Sequence, residues 1–187
     1  MDATRQVVIL GSTGSVGSST LDVIARHPER FKVVALTAHR QIDALFDQCI
    51  AFQPQYAAVG EARSAEQLLA RLRAAGSATE ALYGEQALEQ VAALPQADTV
   101  MAAIVGIAGL RATFAAVQAG KRVLLANKEA LVTAGPVFMN AVRSRDVTLI
   151  PIDSEHNAVF QALPGTFAGD LAANRSWAFD ESVAFDH

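Results

Sequence analysis

Near the start of the chain, the run Gly11-Ser12-Thr13-Gly14-Ser15-Val16-Gly17 follows directly on the apolar residues Val7-Val8-Ile9-Leu10 and leads into a segment with helical periodicity. A buried strand, a glycine turn and a helix in that order build a phosphate-binding corner. Glycine serves such a corner in three ways: it permits the tight turn, lets backbone approach a pyrophosphate, and lets helix pack closely on strand. Gly11, Gly14 and Gly17 are placed to serve them. The helix that follows would point its free N–H groups and the positive end of its dipole at the phosphates, so the loop needs no lysine. The G-x-x-G-x-x-G spacing alone is less specific than G-x-G-x-x-G. A second strand predicted over residues 31–37 completes a mononucleotide-binding βαβ unit and points to a dinucleotide site.

The same alternation continues. Periodicity predicts a helix over residues 16–26 with Val16, Thr20, Val23 and Ile24 inward, and a second carrying the stripe Ile42, Leu45, Phe46, Cys49 and Ile50. A short strand over 56–59 precedes a helix with Leu68, Leu69 and Leu72, closed by Gly76. A strand over 79–83 and a helix over 86–93 with Ala87, Leu88 and Val91 inward come next, then an apolar strand over 99–105. A helix burying Leu110, Thr113, Phe114 and Val117 stops at Gly120, before a strand over 123–126. The reading is α/β, a doubly wound parallel sheet occupying residues 1–150, in a chain of 187 residues and 51% hydrophobic content that suffices for one core or one domain plus part of another.

With 15 basic against 19 acidic residues and a net charge of −4, nucleic acid and anionic membrane surfaces are not expected as main partners. The single cysteine excludes an intramolecular disulfide and suits a reducing compartment. The first residues lack the apolar core of a secretory signal and no run has the length of a membrane span, so the expected location is cytoplasmic. Cys49 lies within a helical stripe and reads as a packed thiol, not a nucleophile.

Ligands of open parallel sheets bind outside the carboxyl ends of the strands. The second strand runs into Ala38, His39 and Arg40, with no carboxylate to accept from a ribose 2′-hydroxyl. Arg40 suits a 2′-phosphate, so the expected preference is for NADPH. The strand over 123–126 ends in Asn127-Lys128-Glu129, which places Lys128 beside the expected nicotinamide. A later strand over 148–151 leads to Asp153-Ser154-Glu155-His156-Asn157. In extended backbone Asp153 and Glu155 share a side and can converge on Mg²⁺ or Mn²⁺. Ser154 or Asp153 can equally cap a following helix with Glu155 complementing its dipole, and both readings can hold together. His156 reads as a structural hydrogen-bonder.

Four stretches, Leu-Gly-Ser-Thr-Gly-Ser-Val-Gly (10–17), Met-Ala-Ala-Ile-Val-Gly (101–106), Leu-Leu-Ala-Asn-Lys-Glu-Ala-Leu-Val (124–132) and Asp-Ser-Glu-His-Asn-Ala-Val-Phe-Gln (153–161), resemble the 1-deoxy-D-xylulose 5-phosphate reductoisomerase family. Homoserine dehydrogenases share the Ala-Gly-Lys and Ala-Asn-Lys elements but not the Asp-Ser-Glu-His-Asn segment. The resemblance implies an NADPH-dependent enzyme of the non-mevalonate isoprenoid pathway, which rearranges the phosphosugar 1-deoxy-D-xylulose 5-phosphate and reduces the product to 2-C-methyl-D-erythritol 4-phosphate. It implies pyrophosphate contacts from Thr13, Gly14, Ser15 and Val16, adenosine-side contacts from Ala38, His39 and Arg40, and cofactor seating by Asn127 and Glu129. Lys128 and Ser154 would contact substrate, and Asp153 and Glu155 would bind the cation. Residues 151–174 then correspond to the beginning of a catalytic domain, whereas 175–187 form a tail unlike the family. Members are much longer, so this chain is expected to keep NADPH binding with little turnover alone, or to act as a non-catalytic fragment. A family-like homodimer is possible but less expected at this length.

Overall fold

A computed structural model describes residues 4–126 and 129–152, together with 158 and 162. The elements alternate: β1 (Arg5–Leu10), α1 (Ser15–Arg26), β2 (Phe31–Thr37), α2 (Ile42–Phe52), β3 (Tyr56–Val59), α3 (Ala62–Ala74), β4 (Glu80–Tyr83), α4 (Gly84–Ala92), β5 (Thr99–Ala102), α5 (Leu110–Gln118), β6 (Arg122–Leu125), α6 (Glu129–Ser144) and β7 (Leu149–Pro151). The strands form one seven-stranded sheet in the order β4-β3-β2-β1-β5-β6-β7, and every pairing is parallel. The chain steps outward from β1 to β4, then returns through α4 to lay β5 against the other side of β1. The order therefore reverses between β1 and β5, and a crevice opens at their carboxyl ends.

Parallel strands need helical crossovers, and these cover both faces of the sheet. Leu21, Ile24, Leu45, Cys49, Leu68 and Leu72 from α1, α2 and α3 pack on one face with Val7, Ile9 and Leu36. Val91, Val117, Phe138 and Val142 from α4, α5 and α6 pack on the other with Val8, Leu10, Val100 and Val123. Adjacent β1 residues thus serve opposite cores, which is why this strand reads as an unbroken apolar run. On the face of α1 the cover stops short: a groove of about 530 Å³ is lined by Val16, Phe31, Met101, Leu124 and Ile152, among others.

One irregularity interrupts the sheet. Between β1 and β2 the register shifts, so that Val7 pairs with Val33 but Val8 pairs with Ala35. The extra residue puts Val34 and Ala35 into the same core, and alternation resumes with Leu36 on the opposite face.

The predicted strands over 31–37 and 56–59 coincide with β2 and β3. Three expectations need correction. Val23 is 51% exposed, and α1 instead buries Gly17, Leu21 and Ile24; its inward face is set by Gly17, which carries no hydrophobic signal. Ile50, predicted on the inner stripe of α2, is 40% exposed at the end of that helix. The strand expected over 99–105 ends at Ala102, where the regular pairing with its neighbours β1 and β6 stops at Leu10 and Leu125; a last bond runs from the Ala103 N–H to the Leu10 carbonyl at 2.9 Å. α6 is bent, with Ala134 at φ −128° and ψ 19° just before Pro136; proline lacks the N–H a helix interior requires and its ring crowds the preceding turn. The segments 151–174 and 175–187 lie almost wholly outside the described residues. Among the described residues no helix is long and apolar enough to cross a membrane.

Two buried polar groups bear on chemistry. Lys121 tethers the start of β6 by donating to the Ala97 carbonyl at 2.7 Å; burial pushes its pKa down while Asp98 pulls the other way. Cys49 is fully buried, and desolvation of the thiolate raises its pKa to about 12. A thiol so placed cannot serve as a nucleophile near neutral pH. The expected outcome of timed labelling with a soluble disulfide reagent at pH 7.5 is no reaction in the folded protein and one equivalent once denaturant unfolds it. Prompt labelling without denaturant would contradict this burial.

Candidate functional site

The turn from β1 into α1 forms one wall of the crevice. Gly11 adopts φ +81°, and a Cβ there would stand 3.0 Å from the Ala103 carbonyl oxygen. A Cβ on Gly17 would meet the Gly11 oxygen at 2.3 Å and Ser12 Cα at 2.6 Å. Gly14 differs: its nearest neighbour would be the Gly11 oxygen at 3.5 Å, an ordinary contact. Gly14 caps α1 with extended backbone and no side-chain hydrogen bond, and the first turn contains no acidic residue. The Ser18 N–H returns to the Gly14 carbonyl at 2.8 Å. The N–H groups of Thr13, Ser15 and Val16 have no acceptor among the described residues. Unpaired N–H groups at the positive end of a helix dipole make an anion receptor.

The loop is held to the end of β2. Thr37 Oγ accepts the Gly11 N–H at 2.8 Å, and the Thr37 carbonyl accepts the Ser12 N–H at 2.8 Å. Beyond Thr37, Ala38 is buried while His39 and Arg40 are exposed. The His39 ring lies over Gly60, where an added Cβ would meet its Cδ2 at 2.9 Å. Arg40 has no ion pair among the described residues, and the nearby acid Asp43 is engaged by Arg71 at 2.5 Å. An exposed, unneutralised guanidinium at this strand end suits an added phosphate better than a bare ribose hydroxyl pair.

The opposite wall follows β5. Val105 is 84% exposed and Ile107 64% exposed, in the segment entering a 3-10 turn over Gly106–Gly109. Val105 falls within the strand predicted over 99–105, and Ile107 has no sequence signal beyond an apolar run that continues past the strand end at Ala102. Farther along the same edge, the Ala126 N–H bonds to the Ala102 carbonyl at 3.1 Å and the Ile152 N–H to the Leu125 carbonyl at 2.8 Å. The carboxyl ends of β5, β6 and β7 are therefore neighbours. Glu129 opens α6 at this edge. Asn127, Lys128, Asp153, Ser154, Glu155 and His156 lie outside the described residues. Among the described residues no cluster of three or more His, Cys, Asp or Glu side chains is placed to hold a metal ion.

A cleft of about 680 Å³ also exists, at the amino-terminal edge of the sheet near Lys32, Gln53, Gln55 and Gly76. The carboxyl-terminal ends of α2 and α3 face it, and their dipoles disfavour an anion. Its size does not make it the better candidate.

The sequence of residues 7–135 matches the family model for 1-deoxy-D-xylulose 5-phosphate reductoisomerase. This chain belongs to that family. It is 61% identical over 174 residues to the reductoisomerase of Nitrosomonas europaea, a match covering 93% of this chain and 42% of the relative. A solved DOX-P reductoisomerase in complex with NADPH, fosmidomycin and magnesium superposes with a TM-score of 0.85 at 41% identity, covering 94% of this chain and 43% of that one. The Zymomonas mobilis enzyme in complex with NADPH gives 0.83 at 46% identity, with coverages of 89% and 43%. The chain thus spans less than half the length of the reductoisomerases it matches.

The two glycines predict responses of different size to the same substitution. Gly17→Ala is expected to lower stability in urea unfolding by about 1–3 kcal/mol or more, since backbone must move to admit the methyl group. Gly14→Ala is expected to cost only about 0.5–1 kcal/mol, the N-cap preference for glycine over alanine, because its φ of −79° and its surroundings accept a Cβ.

Proposed function

We propose that this chain binds NADPH along the carboxyl edge of the sheet and forms the cofactor half of a reductoisomerase acting on 1-deoxy-D-xylulose 5-phosphate. The observation that carries the reading is the pairing of unpartnered N–H groups at Thr13, Ser15 and Val16 with an unneutralised Arg40 at the next strand end. The first suits a pyrophosphate and the second a 2′-phosphate. Gly14 admits the pyrophosphate to the backbone, while Gly11 and Gly17 hold the turn itself. Ala38 and His39 border the adenosine, and Asn127 and Glu129 help seat the cofactor.

Lys128 and Ser154 contact the phosphosugar in this reading. Asp153 and Glu155 are the ligands of a divalent cation, Mg²⁺ or Mn²⁺, for which carboxylate oxygens are suitable hard donors. When bound, the nicotinamide supplies a hydride and the cation a Lewis acid toward the substrate's carbonyl and hydroxyl oxygens. The protein's part is positional: the sheet edge fixes the cofactor, and β6 and β7, which Lys128 and Ser154 follow in sequence, are paired neighbours at that edge.

Equilibrium titration with NADPH and NADH, followed in parallel by thermal unfolding, tests the reading. NADPH is expected to bind saturably and raise the melting temperature. Arg40→Ala should weaken NADPH by about tenfold or more and leave NADH nearly unchanged, as loss of a hydrogen-bonded charged partner implies. A cooperatively unfolding chain that binds neither nucleotide would overturn the proposal.

A further inference from the structure

A polar side chain from α2, absent from the set of expected cofactor contacts, is hydrogen-bonded to the glycine loop. Gln48 lies 36 residues after Ser12, yet its amide spans that residue: Oε1 accepts from Ser12 Oγ at 2.6 Å and Nε2 donates to the Ser12 carbonyl at 3.0 Å. Ser12 is fully buried, and its N–H is taken by the Thr37 carbonyl at 2.8 Å. Thr37 also offers that carbonyl to Ser12 Oγ at 3.2 Å as an alternative acceptor, and Ser18 Oγ approaches the Ser12 carbonyl at 3.4 Å. Each of the three polar atoms of Ser12 is therefore bonded, two of them to one glutamine. A buried serine without these partners would be free to turn its hydroxyl and carbonyl toward the neighbouring amides.

Ser12 stands immediately before Thr13 and two residues before Gly14, so its peptide orientation sets where the next N–H groups point. Gly17 presses α1 against Ser12 Cα from the other side, leaving the residue clamped between two helices and β2. We infer that Gln48 is a positioning residue for pyrophosphate recognition: it does not touch the nucleotide, and it fixes the loop through both ends of Ser12. This rests on the NADPH reading given above.

The experiment compares wild type, Gln48→Leu and Gln48→Glu by titration with two ligands, NADPH and adenosine 2′-monophosphate. The second carries the adenosine and the 2′-phosphate with no phosphate at the 5′ position. Leucine keeps the volume and removes both bonds. Glutamate keeps an acceptor for Ser12 Oγ and sets a second oxygen against the Ser12 carbonyl. Both variants are expected to bind NADPH about tenfold more weakly, the consequence of losing one or two hydrogen bonds, with the affinity for adenosine 2′-monophosphate within twofold of wild type. Equal losses for both ligands would show a general structural role and overturn the inference, as would an unchanged NADPH affinity. If the wild type binds neither ligand, it is the NADPH reading that fails. Urea unfolding of each variant identifies any that does not fold. Should Gln48→Leu be one, the comparison passes to Ser12→Ala, which removes the hydroxyl bond alone and is expected to show the same selective loss.

Discussion

The carbonyl oxygen of Gly11 stands 2.3 Å from where a Cβ of residue 17 would sit, so a helix can begin here only if that residue is glycine. This close approach governs the rest of the crevice. It turns the axis of α1 toward the carboxyl end of β1 and decides which face of the helix enters the core. The N–H groups of Ser15 and Val16, at the start of α1, keep no acceptor among the described residues. The Gly11 approach to Ala103 brings the two walls of the crevice together from the other direction. Neither contact involves a side chain of the glycine concerned, and both are indispensable to the local geometry.

Much of this architecture was legible in the sequence. β1, β2 and β3 announce themselves as apolar runs because helices cover both sheet faces, and Gly76 and Gly120 mark turns with φ of +73° and +71°. What the pattern misplaces is instructive. The inward face of α1 is anchored by a glycine, so a search for apolar spacing selects Val23, which faces solvent. The end of β5 depends on where its neighbours stop, which is not written in its own composition. Site residues follow the same division. The loop and Arg40 can be read locally, whereas the bond between Gln48 and Ser12 joins positions 36 residues apart and has no local signature. A half-buried glutamine on an amphipathic helix looks like any solvated polar residue until the packing of α2 against the loop is known.

The two cores are unequal in what they cover. α4, α5 and α6 follow the sheet to its β7 edge, while α1, α2 and α3 serve the β4 side of their face. Met101, Leu124 and Ile152 consequently line an apolar groove under the last strands. The sidedness follows from topology: all right-handed crossovers leaving β1 in one direction lie on one face, and those returning lie on the other. Cys49 sits within the covered half, where its thiol is simply part of the packing.

The extra residue in β2 has a meaning beyond the irregular pairing itself. Side chains alternate along a strand, so an extra residue in regular pairing would invert the parity of everything downstream. The bulge absorbs it: Val34 and Ala35 share one core, and Leu36 again pairs with Ile9 and enters the same core as that residue. Thr37 is downstream, and its hydroxyl meets the Gly11 N–H in the phase that the regular pairing of Ala35 and Leu36 hands on. The strand can thus change its length without changing its phase. A homologue lacking the residue at position 34 would present the same threonine to the same loop.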